Sequence, residues 1–198
     1  MEKNMSYTPK ILAFAGSTRK ESFNKKLVKI AAEAARRAGA EVTYLDLRDI
    51  PMPLYDGDLE AEQGLPENAK KFKALLLAHD GLLISAPEYN SSISAVLKNA
   101  IDWASRPSTS NEAPFACFAG KVVSLMSASP GALGGLRGLV IVRSLFSNIR
   151  VIVLPDQVAV PKAHEAFDTE GRLKDAKQQA SIEALGLGLV DVLKKLKA

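Results

Sequence analysis

Residues 81–94 read Gly81-Leu-Leu-Ile-Ser-Ala-Pro-Glu-Tyr-Asn-Ser-Ser-Ile-Ser94. The apolar run over 81–86 has the length of a buried strand and stops at Pro87. Beyond Ser94, Leu97, Ala100, Ile101 and Ala104 recur at helical spacing. Residues 87–92 are therefore expected to form a loop at the carboxyl end of a buried strand, where open α/β sheets bind ligands.

The same strand-to-helix unit repeats on both sides of this stretch. Upstream, residues 10–15 make a short apolar run into Gly16, and Leu27, Ile30, Ala31, Ala34 and Ala35 mark a helix over 23–38. Gly39 stands where a helix ends, and residues 41–47 alternate as a second strand. Residues 51–58 read as an extended loop, after which Pro66 opens a helix burying Ala69, Phe72, Leu75 and Leu76. Downstream, residues 120–126 form a fourth strand, 127–137 a glycine-rich loop into a helix ending near Asn148, and 150–154 a fifth strand. Pro161 and Gly171 argue against regular structure over 155–172, and a last helix covers 175–195. Strands alternating with helices predict an α/β three-layer sandwich: a five-stranded parallel sheet covered on both faces, in the flavodoxin-like order 2-1-3-4-5. One such unit is expected over residues 10–198, after a flexible tail at 1–9.

Composition narrows the function. With 198 residues and 47% hydrophobic side chains the chain supports one substantial core. The net charge of +4 is spread over several segments rather than gathered in a stripe, which speaks against nucleic acid. Cys117 is the only cysteine and His79 and His164 the only histidines, so neither a disulfide nor a transition-metal site is expected. Cys117 lies in the apolar setting Phe115-Ala-Cys-Phe118 and reads as inert packing. No signal-peptide core or membrane-length apolar run is present, so a cytoplasmic location without membrane attachment is expected.

In this topology the loops after the first, third and fourth strands open at one edge. The first, Gly16-Ser-Thr-Arg-Lys-Glu-Ser-Phe-Asn24, places Ser22 at a helix N-cap among Ser17, Thr18, Arg19 and Asn24. Free N–H groups and the helix dipole suit a phosphate there, and Lys25 replaces the capping-box acid that would compete; the alternative is an ordinary polar cap. Neither the P-loop nor the Gly-x-Gly-x-x-Gly spacing occurs. The second loop, with Pro87, Tyr89, Asn90 and Ser91, can wall a flat heteroaromatic ligand or be a tight turn. The third, 127–137, lets backbone approach a ligand or simply packs a helix through glycine.

These loops resemble the phosphate and flavin motifs of the NAD(P)H-dependent FMN reductase family, flavodoxin-like quinone, chromate and azo-dye reductases. Gly16 to Asn24 is similar to the family's Gly-Ser-x-Arg-x-x-Ser-x-Asn loop, and Pro87-Glu-Tyr-Asn-x-Ser92 with Leu97-Lys-Asn-Ala-Ile-Asp-Trp103 to its flavin loop. The resemblance implies FMN as cofactor, with Ser17, Arg19, Ser22, Phe23 and Asn24 around its phosphate. It implies Pro87, Glu88, Tyr89, Asn90 and Ser91 along the ring and ribityl chain, and Ser127, Ser129 and Gly131 on the third side. NADPH or NADH would be the donor, and two electrons would pass by hydride transfer through FMN to quinones, free flavin or similar acceptors. No catalytic acid or base is needed, since the cofactor carries the chemistry. The Glu88 side chain is expected to point away from a flavin that becomes anionic on reduction.

The family also implies a homodimer or homotetramer, which makes Trp103 and Tyr55 candidates for an interface, with intrachain packing as the other reading. Arg19, Arg106 and Arg137 are candidates to meet an NADPH 2′-phosphate. The competing function is a flavodoxin-like electron carrier that does not oxidise pyridine nucleotides; such carriers are typically acidic, and this chain is basic. A nucleotide-binding regulatory module would leave the second loop unexplained.

Overall fold

The expected apolar runs pair into one parallel sheet. The computed structural model describes residues 7–197. Strands β1 (Lys10–Ala15), β2 (Glu41–Leu45), β3 (Gly81–Ser85), β6 (Val122–Ala128) and β7 (Ile152–Val160) lie in the order β2-β1-β3-β6-β7, every pairing parallel. Counted along the chain, these five strands have the expected order 2-1-3-4-5. A separate hairpin joins β4 (Glu88–Tyr89) and β5 (Ser92–Ile93). The helices are α1 (Phe23–Arg37), α2 (Gly57–Gln63), α3 (Glu67–Ala78), α4 (Ala95–Ser105), α5 (Leu136–Asn148), α6 (Ala163–Ala166) and α7 (Ala176–Lys197).

Strand alternation sends side chains to two cores. Ile11, Ala13, Ala15, Leu83, Val122 and Met126 pack with Leu27, Ala31, Leu189 and Leu193 of α1 and α7. Leu12, Phe14, Leu82, Ile84, Val123 and Leu125 pack with Phe72, Leu97, Ile101, Leu139 and Phe146 of α3, α4 and α5. The edge-on pair Phe14–Phe72, with centroids 5.5 Å apart, links sheet to α3. Each fully buried Leu, Ile or Phe stabilises the fold by about 1.5–3 kcal/mol. The α1–α7 contact depends on Gly186, where a Cβ would meet the Ala31 carbonyl oxygen at 2.1 Å.

Four sequence expectations change. β2 ends at Leu45 and gives way to a 3-10 turn, Leu47–Asp49. Residues 57–63 are helical although none is buried, so no apolar period marks them. Residues 87–92 are no irregular loop but contribute to the β4–β5 hairpin, whose Asn90 and Ser91 have φ of 51° and 64°. Two consecutive positive φ values are the type I′ turn that suits strand twist. Finally, the fifth strand runs to Val160, and residues 155–172 also contain α6 and Phe167, which bridges to Leu173 just beyond them. Pro155 is accommodated by a shift of register: β6 advances from Val123 to Leu125 while β7 advances from Val153 to Gln157.

Of the tail expected at 1–9, residues 1–6 lie outside the described residues. Pro9 is buried and its carbonyl accepts from Glu41 N–H at 2.9 Å. Among the described residues no helix is long and apolar enough to cross a membrane, and no group of three or more His, Cys, Asp or Glu could hold a metal ion.

Candidate active site

The carboxyl ends of β1, β3 and β6 carry three loops to one edge of the sheet, and the loops are fastened to each other. Gly16 N–H donates to the Ser85 carbonyl at 2.9 Å, and Ser94 Oγ donates to the Gly16 carbonyl at 2.6 Å. Ser94 also caps α4, accepting from Leu97 N–H at 3.3 Å. Gly16 has no room for a side chain, since its Cβ would lie 2.9 Å from Leu97 Cβ.

One cavity opens where these loops meet, lined by Ser17, Arg19, Ser22, Phe23, Asn24, Pro87, Glu88, Tyr89, Ala128, Ser129 and Pro130. The sequence-derived residues Asn90, Ser91, Ser127 and Gly131 are not part of that lining. Asn90 and Ser91 form the hairpin tip. Ser127 is fully buried behind the wall, its Oγ donating to the Ala86 carbonyl at 2.7 Å. Gly131 lies one step beyond Pro130, its N–H donating to Ser129 Oγ at 3.2 Å.

The first loop has the chemistry of an anion site. Ser22 is the N-cap of α1, yet its side chain makes no capping hydrogen bond, and no acidic residue occupies the first turn. The helix therefore keeps first-turn N–H groups for an external acceptor. Lys25 does not reach the cavity; it is 6% exposed and donates to Asp46 Oδ2 at 2.6 Å. Ser17, Ser22 and Asn24 are each 4% exposed, so a bound phosphate would be held among largely dehydrated groups. The Asn24 side chain is committed to the scaffold: Nδ2 donates to the Ala128 carbonyl, and Oδ1 accepts from Ala128 N–H and Ser85 Oγ. Phe23 stacks on Phe167 at 6.0 Å, which gives part of the 155–172 segment a place behind the β1–α1 loop. The lining has the chemistry that a phosphate with an attached ring would use: polar donors from Ser17, Arg19 and Ser22, and the faces of Pro87 and the half-exposed Tyr89.

Glu88 turns its carboxylate to α5. Oε1 accepts from Arg137 Nε at 2.9 Å and Nη2 at 2.6 Å, and Oε2 accepts from Gly138 N–H at 2.9 Å. Burial raises its pKa, but the bonds from Gly138 and Arg137 outweigh burial and hold the carboxyl below its ordinary value. Arg137 is thereby engaged, and Arg106 is equally engaged with Glu60 at 2.8 Å. Of the three arginines considered for a 2′-phosphate, Arg19 alone lines the cavity.

Trp103 takes the intrachain role. It is fully buried, its Nε1 donates to the Pro53 carbonyl at 2.8 Å, and Tyr55 meets it edge-on at 5.0 Å. Cys117 is buried with Sγ donating to the Ala104 carbonyl at 3.1 Å, and burial pushes its pKa up to about 11. His79 is held between the Leu75 carbonyl and Thr43 Oγ1, a structural assignment.

A doubly covered parallel sheet with an anion cradle after β1 and an aromatic-bearing hairpin after β3 defines the flavodoxin-like class of α/β proteins. Within that class, residues 9–165 match the family described as NADPH-dependent FMN reductase, and the chain belongs to that family. It is 34% identical over 194 residues to a probable NADPH:quinone oxidoreductase of Oryza sativa subsp. japonica, covering 93% of this chain and 90% of that protein. It is 36% identical over 181 residues to an NAD(P)H-dependent FMN reductase of Pseudomonas aeruginosa, covering 90% of this chain and 92% of that one. Among solved structures, the flavoenzyme NAD(P)H:(acceptor) oxidoreductase FerB of Paracoccus denitrificans superposes with a TM-score of 0.78 at 27% identity, covering 95% of this chain and 98% of that chain.

Proposed function

We propose that this chain is an FMN-dependent NAD(P)H oxidoreductase that delivers two electrons to quinones, free flavin or similar acceptors. The observation that carries the reading is the single cavity shared by the open N-terminus of α1 and the hairpin after β3. Ser17, Arg19, Ser22 and the first-turn backbone of Phe23 and Asn24 would hold the FMN phosphate. Pro87, the backbone of Glu88, and Tyr89 would lie along the ring, with Asn90 and Ser91 at the hairpin tip beyond them. Ser129 and Pro130 would close the third side, supported from behind by Ser127 and Gly131. Bound FMN supplies the redox chemistry, taking hydride from NADPH or NADH and returning electrons to the acceptor; the protein binds, orients and excludes water.

The relatives' quinone reductase names support a quinone-type acceptor. The unit carrying this activity spans residues 10–198, and its location is cytoplasmic. It works as a homodimer or homotetramer. The exposed apolar side chains Leu133, Leu136 and Val140 support self-association, which sedimentation would measure. The functional test is reconstitution with FMN followed by anaerobic addition of NADPH or NADH and then a benzoquinone. Bleaching of the flavin and its recovery with quinone are expected. Failure to bind FMN overturns the reading, and flavin that stays oxidised with both nucleotides leaves an electron carrier.

A further inference from the structure

Glu88 is a charged group in the cavity wall whose side chain is only 7% exposed. Its surroundings are built for it. The N-cap of α5 is Gly135, at φ 94°, with no side chain to cap the helix, and the first turn of α5 contains no acid. Glu88 supplies the missing acceptor from 50 residues away, bonding the N–H of Gly138, the third residue of that helix. Close packing leaves little slack: a Cβ on Gly138 would lie 3.2 Å from Glu88 Cβ, and one on Gly135 would lie 2.0 Å from Ser127 Oγ. Arg137 completes the arrangement by placing Nε and Nη2 on the same carboxylate oxygen.

We propose that Glu88 is a positioning residue that fastens the β4–β5 hairpin to α5, and that Arg137 cancels its charge so that a redox group in the cavity faces neither an unpaired anion nor an unpaired cation. The inference rests on the FMN reading above. A flavin that gains negative charge on reduction responds to a nearby uncompensated charge, more strongly to the buried Glu88 carboxylate than to the solvent-screened Arg137 guanidinium. Arg137→Met leaves the Glu88 anion and opposes reduction, whereas Glu88→Gln leaves the Arg137 cation and favours it. An anchor with no electrostatic role would not shift the two variants in opposite directions.

The test uses the full chain as wild type, E88Q, R137M and the double variant, each reconstituted with FMN. Quenching of FMN fluorescence reads the dissociation constant, equilibration with a redox dye reads the midpoint potential, and thermal melting of each apoprotein reads folding separately. The expected result is a higher potential for E88Q, a lower one for R137M, and a double variant close to wild type. Each single change should alter the ratio of affinities for oxidised and reduced FMN by about three- to tenfold, tenfold being about 30 mV for a two-electron couple. The 58% exposure of the Arg137 side chain keeps its own effect toward the lower figure. Should R137M fail to fold, R137K replaces it, with a potential expected near wild type because the charge is kept. Shifts of the same sign in E88Q and R137M, an R137K shift as large as that of E88Q, or unchanged potentials overturn the proposal. A wild-type chain that binds no FMN overturns the functional reading and this inference together; FMN-loaded variants with wild-type potentials overturn this inference alone.

Discussion

Asn24 in the first turn of α1 is bonded twice to Ala128 at the end of β6: Nδ2 donates to the carbonyl at 2.8 Å, and Oδ1 accepts from the N–H at 3.0 Å. Oδ1 also accepts from Ser85 Oγ at 2.8 Å, so one amide joins the ends of β3 and β6 to the start of α1. Asn24→Ala leaves buried polar groups unpaired and is expected to cost about 1–3 kcal/mol per orphaned group, less where water enters. Urea denaturation of the apoprotein measures this, and a midpoint equal to wild type would show that the bridge carries no stability.

At the neighbouring N-cap, stability and cofactor binding should separate. Ser22→Asp puts a carboxylate beside the first-turn N–H groups of α1, which favours the helix by about 0.3–1 kcal/mol against the cost of burying a charge at a 4% exposed position, while repelling a phosphate. The apoprotein should melt close to the wild-type temperature, and FMN should bind at least about tenfold more weakly, since one log unit needs only about 1.4 kcal/mol. Undiminished FMN affinity in S22D would remove the phosphate from this loop.

Acid should release the Glu88 anchor. Its pKa lies below the ordinary 4.5 when folded, so the stability it adds is present above the unfolded value and is lost as pH falls through the folded value. Urea midpoints of wild type and E88Q apoproteins are expected to differ near neutrality and to converge as pH drops through the region below 4.5. A difference that stays constant over this range would mean that the Glu88 charge contributes nothing to folding.

The thiol of Cys117 should be silent in the native state. Its pKa of about 11 and its burial leave little thiolate near neutral pH. Iodoacetamide labelling followed by mass spectrometry should find it unmodified in the folded chain and labelled in denaturant. Rapid native labelling would reveal opening of the segment around Phe115–Phe118.

The sheet order was legible because its apolar runs alternate with amphipathic helices, and the three site loops because that order brings them to one edge. Side-chain direction was less accessible. Asn24 resembles a ligand contact in sequence, yet its amide is spent on Ala128 and Ser85. The hairpin was hidden because strands such as Glu88–Tyr89 are too short to alternate visibly and its turn uses Asn90-Ser91 rather than Asn-Gly. No residue of helix α2 is fully buried, so it leaves no apolar period. The Glu88–Arg137 pair joins residues 49 positions apart, a relation no local pattern encodes.

Pro155 interrupts β7 without ending it. β7 is the last strand of the sheet, and an outer strand presents unpaired donors and acceptors that can recruit another chain's strand. Proline has no N–H to present, and the unequal advance from Val153 to Gln157 breaks the regular repeat an incoming strand would have to follow. The irregularity thus gives the sheet a boundary: neighbouring copies meet no continuous template on this side, and the fold is protected there from growth by strand addition.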